Sequence, residues 1–451
     1  SSIAEELSFS IGRIASPVVV VQDQEQVDKL LEVRDKLPHT VKVVYIDPTG
    51  MTFYDENDWL ISYARLLELS QDYLAEHPDD VDRKIAKGRP DDMAIMIQTS
   101  GTTGVPKLAM LSHRNLTTMA RQWIEAENLK PEENWISMSP PAWIVDQMWG
   151  MGVSLVSAMT MNFPETAETV PEDFREIGPS ILITASRFWE DMASRIRVKI
   201  SDAGWLKRHL FDMAEQFGRS LVNKKLHRRR ISWPHQLLYR FYSLTVYRPL
   251  LDRLGCSRFA SAFTGGHPIS PDVIGFFRAI GLNLKQCYGL TESGGIFQIQ
   301  PDGEVKLETV GKPLPLTEVR IAPDQEVLVK SDANFSGYYN DYQSTQAAFD
   351  NGWLKTGDAG YIDDDGHLLI IGRKEDIIRN KSGDAFSPDF IETRLKFSPY
   401  IKEAVTFGEA RPYITAMINI DLGNVGNWAE ERMIPYTTYM DLSQQKAVED
   451  L

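Results

Sequence analysis

The stretch Thr99-Ser100-Gly101-Thr102-Thr103-Gly104-Val105-Pro106-Lys107 concentrates groups that bind phosphate. Its two glycines let the backbone turn tightly and aim N–H groups at anionic oxygens. Thr99, Ser100, Thr102 and Thr103 add hydroxyl donors, and Lys107 adds a mobile positive charge, an inventory that suits a polyphosphate. The loop is not of the G-x-x-x-x-G-K-[ST] kind, because Val105 and Pro106 stand between Gly104 and Lys107.

Two further stretches carry complementary chemistry. In Tyr288-Gly289-Leu290-Thr291-Glu292-Ser293 the aromatic ring can stack a planar base while the glycine lets the backbone pass close to it. The Thr291-Glu292 pair can hydrogen-bond phosphate and hold Mg²⁺ through a hard carboxylate oxygen. In Thr356-Gly357-Asp358, followed by Gly372-Arg373-Lys374-Glu375-Asp376, the aspartate can accept both hydroxyls of a ribose and the arginine can bond the same sugar. Taken singly, either of these last two motifs is equally well a turn and a surface ion pair.

The elements that must position these groups can be read from periodicity. Val18–Val21 and Val41–Ile46 are β-branched runs, and Gln26–Leu37 between them has a helical pattern, so a parallel α/β unit is expected there. Met93–Gln98 predicts a strand leading into the Gly/Thr/Pro loop, and Ser112 is the candidate N-cap of a helix after it. Ser186 to about Leu254 reads as mostly helical. Leu282–Cys287, Glu326–Lys330 and His367–Ile371 read as strands, with a hairpin-like turn at Asp363-Asp364-Asp365-Gly366. The chain from Glu375 onward reads as a small α+β segment.

Taken together, these motifs resemble the adenylate-forming superfamily of acyl-CoA synthetases, peptide-synthetase adenylation domains and luciferases. That family's phosphate loop, Ser-Gly-Thr-Thr-Gly-x-Pro-Lys-Gly, is matched through Lys107 and departs at Leu108. The resemblance implies an α/β fold. A large N-terminal body (residues 1–373, its start apparently truncated) would hold stacked α/β sheets and a distorted β-barrel. A small, incomplete α+β C-terminal domain (374–451) would follow. It implies Thr103, Lys107, Thr291 and Glu292 around the reacting phosphates, Glu292 on Mg²⁺, Tyr288 and Gly289 with Gly265-Gly266 at adenine, and Asp358 with Arg373 on ribose. Lys374–Glu375 would be the pivot of the C-terminal domain, and Lys381 would lie near the coenzyme A path. His267 stands where a small residue is common, and a packed or solvent-facing role is expected for it.

Several features resemble the long-chain fatty acyl-CoA synthetase branch: Ser112-His113-Arg114-Asn115, the helical insertion from Asp191 to Leu254, and Lys381-Ser382-Gly383-Asp384 followed by Phe386-Ser387-Pro388. By that resemblance Trp143 and Trp149 wall or gate an acyl tunnel. As residues they are equally well two core tryptophans. The implied reaction joins ATP to a fatty acid as an acyl-AMP and then transfers the acyl group to coenzyme A. The alternatives are delivery to a carrier protein, or non-catalytic nucleotide or acyl-adenylate binding. The family's catalytic lysine has no counterpart in context among Lys374, Lys381, Lys396, Lys402 and Lys446, so a fragment that binds better than it turns over is expected.

Composition narrows the partners. With 48 Lys+Arg against 63 Asp+Glu in 451 residues, the net charge of −15 disfavours nucleic acid as a ligand. Only Cys256 and Cys287 occur, so no disulfide framework organises the chain and a reducing, cytoplasmic setting is expected. No transmembrane run and no signal peptide are expected. The basic run Arg219–Arg230 leaves two readings open: a solvated helix end, or a patch facing an anionic membrane or the coenzyme. Oligomeric state is not legible.

Overall fold

The computed structural model describes residues 3–54, 56–99, 106–166, 168–227, 229–396, 398 and 400–451. They fall into two compact units, Ser1–Arg89 and Pro90–Leu451. The boundary expected at residue 374 lies inside the second.

In the first unit the parallel strands Val18–Val21, Lys42–Tyr45 and Leu60–Ser62 form one sheet in that order. The connecting helix Gln24–Glu32 starts where the Asp23 side chain accepts a bond from the Gln26 N–H. It buries Val27 and presents Leu30 to a core with Val43 and Trp59. The helix stops before the expected Leu37, passing into a tight 3₁₀ turn at Arg34–Lys36. Pro38 keeps Leu37 out of helical geometry, since a proline disfavours it in the residue before it.

The second unit is organised by a seven-stranded sheet. From one edge its strands are Lys312–Pro313, Gly295–Ile299, Leu284–Leu290, Ser261–Gly265, Ile181–Ala185, Asn134–Ile136 and Thr160–Asn162. The last five are mutually parallel, and the first two add antiparallel. Alternation along the central strands feeds two cores. Ile183 and Phe263 face a cluster with Trp123, Trp135 and Trp149, while Leu182 and Ala262 face one with Trp189, Phe276 and Tyr247. Helices on both faces follow, because every strand of such a sheet must be covered. The helices Ser186–Ser201, Trp205–Leu226, Trp233–Tyr242 and Arg248–Arg253 bear out the helical reading of 186–254.

A second, five-stranded antiparallel sheet holds Glu318–Ile321, Glu326–Lys330, Trp353–Ile362, Phe349–Asp350 and Leu368–Arg373. A third pairs Met93–Thr99 with Lys107–Ser112, and Gly337–Tyr338 adds to the outer side of Lys107–Ser112. Strand Lys107–Ser112 is absent from the sequence expectation, which ran from loop directly to helix. Leu108, Ala109 and Leu111 are all buried, so the run lacks the alternation that marks a half-exposed strand. The helix then begins at His113, capped by Ser112 as expected. Asn115 completes that cap through its side-chain oxygen, and its Nδ2 donates to the carbonyls of Asp332 and Asn334, 217 and 219 residues later.

Beyond residue 374 the chain forms a short hairpin, the helix Pro388–Leu395, the antiparallel pair Ile401–Phe407 and Thr415–Ile420, and three helices around Val425, Ala429, Leu442 and Val448.

Candidate functional site

The carboxyl ends of the parallel strands converge on one region, where α/β sheets present ligand-binding loops. Thr99 and Lys107 face each other in register across the hairpin that flanks residues 100–105. Ser100, Gly101, Thr102, Thr103 and Gly104 lie outside the described residues. The Lys107 ammonium sits 5.1 Å from the centroid of the Tyr338 ring, a cation–π distance. The Tyr338 hydroxyl donates to Glu292 Oε1 at 2.7 Å. Burial and the neighbouring Glu292 charge push the phenol well up, so Tyr338 remains a donor at neutral pH. The turn that carries Thr291 and Glu292 is held by Ser293, whose hydroxyl accepts the Leu290 N–H and donates to the Gly295 carbonyl at 2.7 Å. A hydrogen bond of 2.8 Å from the Phe335 N–H to the Glu292 carbonyl fixes the turn against the Tyr338 segment.

A second cluster lies one turn away. The Tyr288 hydroxyl donates to Asp358 Oδ2 at 2.5 Å, and Asp358 Oδ1 is 3.3 Å from an Arg373 guanidinium nitrogen. Asp358 and Arg373 are register partners across the hairpin of Trp353–Ile362 and Leu368–Arg373. Burial raises the Asp358 carboxyl above the usual range, opposed by the Tyr288 bond and the Arg373 charge. Tyr288 is pushed up by burial and then by Asp358, so the phenol keeps its proton. The strand shifts register at Tyr288/Gly289, and a Cβ on Gly289 would lie 2.1 Å from the Gly295 carbonyl oxygen. Only glycine fits that approach.

Two cavities result. The larger, about 870 Å³, is lined by Thr99, Lys107, Trp143, Gly265, Gly266, Thr291, Glu292, Tyr338, Arg373 and Lys374, among others. The smaller, about 360 Å³, is lined by Tyr288, Gly289, Asp358 and Arg373 and shares Gly266, Gly289 and Arg373 with the first. Trp143 packs edge-on at Gly266, where a Cβ would meet its ring at 3.2 Å.

The geometry thus brings together Thr99, Lys107, Trp143, Gly265, Gly266, Tyr288, Gly289, Thr291, Glu292, Asp358 and Arg373. It does not bring Trp149 or Lys381 to either cavity. Trp149 is fully buried and meets Trp123 in a T-shaped contact at 5.1 Å. Lys381 is exposed, its N–H bonded to the Arg411 carbonyl. His267 is exposed on the rim of the smaller cavity. Leu108, at the family's glycine position, is buried in its strand.

Among the lining residues of the larger cavity that sequence reasoning missed, two hold its polar side chains in place. Tyr338 is one. Glu326 is the other, accepting the Gly357 N–H at 3.0 Å and the Lys374 ammonium at 2.9 Å. Lys374 also pairs with Asp324. No local pattern marks either residue, since their partners lie 46 and 48 positions away.

The larger cavity places the Glu292 carboxylate beside Thr291 and the Tyr338–Lys107 pair, with Glu326 and Glu375 also on its lining. That donor set fits Mg²⁺, which takes one or two carboxylates and completes its octahedron from substrate phosphates and water.

The AMP-binding enzyme family matches over residues 2–339. The long-chain-fatty-acid–CoA ligase FadD15 of Mycobacterium bovis is 29% identical over 443 residues, covering 95% of this chain and 69% of the relative. The long-chain-fatty-acid–CoA ligase ACSBG2 of Xenopus laevis is 27% identical over 433 residues, 92% of this chain and 57% of the relative. Among solved structures, ATP-bound MatB from Rhodopseudomonas palustris superposes with a TM-score of 0.64 at 20% identity, over 94% of this chain and 73% of that one. A Mycobacterium tuberculosis fatty acyl CoA synthetase superposes with a TM-score of 0.60 at 20% identity, over 97% and 75%. At such identities the structures speak for the fold, and they agree with the expected α/β architecture.

Proposed function

This chain belongs to the family of AMP-binding enzymes, and on that premise we propose that it activates a long-chain fatty acid with ATP and passes the acyl group to coenzyme A. One observation carries the reading. Lys107, Glu292 and Thr291 share a cavity with Trp143 and Gly265, and that cavity adjoins the Tyr288–Asp358–Arg373 cluster. A single ligand with a base, a ribose, a phosphate and an acyl tail matches this sequence of environments.

In the first step a carboxylate oxygen of the fatty acid attacks the α-phosphorus. The bond from that phosphorus to the β-bridging oxygen breaks, and pyrophosphate leaves. Lys107 and the hydroxyls of the 99–107 loop neutralise the phosphate oxygens, and Thr291 holds the α-phosphate. Glu292 would hold Mg²⁺, which when bound offsets phosphate charge. Tyr288 and Gly289 with Gly265-Gly266 flank the base, and Asp358 and Arg373 hold the ribose. In the second step the coenzyme A sulfur attacks the acyl carbon, its proton is lost, and AMP leaves with the former carboxylate oxygen. The segment from residue 374 acts as the mobile domain, with Lys374–Glu375 as its pivot. Trp143 walls the acyl end of the cavity. Cys256 and Cys287, both free and buried, suit a reducing compartment such as the cytoplasm. Among the described residues no helix is long and apolar enough to cross a membrane.

Calorimetric titration with non-hydrolysable acyl-AMP mimics of short, medium and long tails tests the reading. Mimics of the intermediate should bind more tightly than ATP or acid alone, and affinity should rise with tail length. Binding that ignores the tail would remove the long-chain assignment, and no binding of any mimic would remove adenylation.

A further inference from the structure

The helix Trp233–Tyr242 and its continuation Ser243–Tyr247 face the wrong way for a helix that serves only the core. Trp233, Leu237, Phe241 and Leu244 are 75%, 61%, 51% and 65% exposed. At about 100° per residue they fall, with Arg240, on one stripe roughly 100° wide. The opposite side is the anchored one. Tyr242 and Tyr247 are buried, and the Tyr247 hydroxyl donates to the Ala214 carbonyl at 2.6 Å. The wider turn of the π-helical stretch Ser243–Tyr247 keeps Tyr247 on that buried side. The apolar stripe is therefore held outward by a fixed scaffold, and leaving such side chains in water forgoes roughly 1.5–3 kcal/mol each.

Charge at this face runs against the rest of the molecule. From Trp205 to Arg248 the sequence holds ten Lys and Arg against two Asp and Glu, in a chain of net charge −15. Lys225, Arg229 and Arg230 are exposed just ahead of the stripe, and Arg240 is exposed within it. A Lys224–His235 contact of 2.6 Å ties the end of the preceding helix to the start of this one, so cations and stripe are neighbours.

We infer that this face is a docking surface for an anionic lipid bilayer, with the stripe Trp233, Leu237, Phe241 and Leu244 seated among acyl chains and the flanking cations on lipid headgroups. Apolar side chains framed by Lys and Arg, with an indole at one end, are the composition of a helix lying in a membrane interface. A second copy of the chain is the poorer occupant: across a two-fold axis the basic frame would meet itself. The inference does not depend on the ligase reading.

The test is sedimentation of the full chain with vesicles of phosphatidylcholine alone and with vesicles of equal parts phosphatidylcholine and phosphatidylglycerol. The wild type should bind the anionic vesicles and not the neutral ones. Arg229→Ala/Arg230→Ala/Arg240→Ala should weaken binding roughly a hundredfold, at about one kcal/mol per cation. Leu237→Ser/Phe241→Ser/Leu244→Ser should abolish it, with unchanged unfolding midpoints for both variants because all six side chains are exposed. Equal binding to both vesicle types, or binding that survives the apolar substitutions, would overturn the inference. So would a wild type that ignores vesicles, including one that forms a dimer broken by the apolar substitutions.

Discussion

Tyr338 touches two groups of opposite charge on the lining of the larger cavity, its ring under Lys107 and its hydroxyl on Glu292. Tyr338→Phe keeps the ring and removes the donor. Because a hydrogen bond to a charged group contributes about 1.5–3 kcal/mol, Mg·ATP should bind about ten- to a hundredfold more weakly, whereas metal-free AMP, read by the same calorimetry, should be unaffected. Asp358 invites a second test. Burial raises its folded pKa, so the folded chain holds that proton more tightly than the unfolded chain. Its contribution to stability is therefore complete below the ordinary carboxylate range and is lost as pH rises through the raised value. Asp358→Asn should match the wild type in urea midpoint at acidic pH and exceed it at neutral pH, while nucleotide affinity falls at least about tenfold. At this scale the sequence was legible wherever function demands an unusual residue type at close spacing: Lys107, Tyr288-Gly289, Thr291-Glu292 and Asp358 all reach the cavities. It was not legible for Tyr338 and Glu326, which owe their positions to strand pairing, or for Trp149, whose packing only the core with Trp123 and Trp135 reveals.

The strand Leu284–Leu290 carries Tyr288 at one end and a fully buried lysine at the other. Lys285 Nζ lies 2.9 and 2.8 Å from the two Glu127 oxygens and 2.8 Å from Asp302. Its side chain is 0% exposed and that of Glu127 6%. Burial raises the Glu127 carboxyl despite the lysine. A buried pair of this kind adds little net stability, yet losing one partner strands the other, at about 3–5 kcal/mol. Lys285→Met should lower the unfolding free energy read from urea titration by that order, and Lys285→Met/Glu127→Leu should recover most of the loss. A double variant as unstable as the single would mean that the pair is not what anchors the strand. Periodicity found this strand, the 186–254 helices and the Ser112 cap, because each has a regular pattern or a terminal signal. It missed Lys107–Ser112, whose unbroken burial looks the same in a strand, a helix or a collapsed loop.

Every described residue assigned to nucleotide or acyl binding lies between Pro90 and Leu451, in the unit with its own sheet and cores. A chain of residues 90–451 should therefore bind the long-tailed acyl-AMP mimic within about threefold of the whole, a difference of roughly 0.6 kcal/mol. Failure with intact circular dichroism would mean that residues 1–89 contribute to the site. The α/β class was legible in the order of elements, and the site's composition in its motifs. The joining of three separate sheets around one cavity was not, since it depends on contacts between segments far apart in sequence. Asn115 illustrates the cost of such contacts in time. Its side chain finishes the hairpin next to Lys107 only when the carbonyls 217 and 219 residues downstream arrive. At synthesis rates of about 5–20 residues per second, the ribosome takes about ten to forty seconds to supply them. For that interval the nascent hairpin leading into Lys107 lacks both the carbonyl partners of the Asn115 amide and the Gly337–Tyr338 strand on its edge.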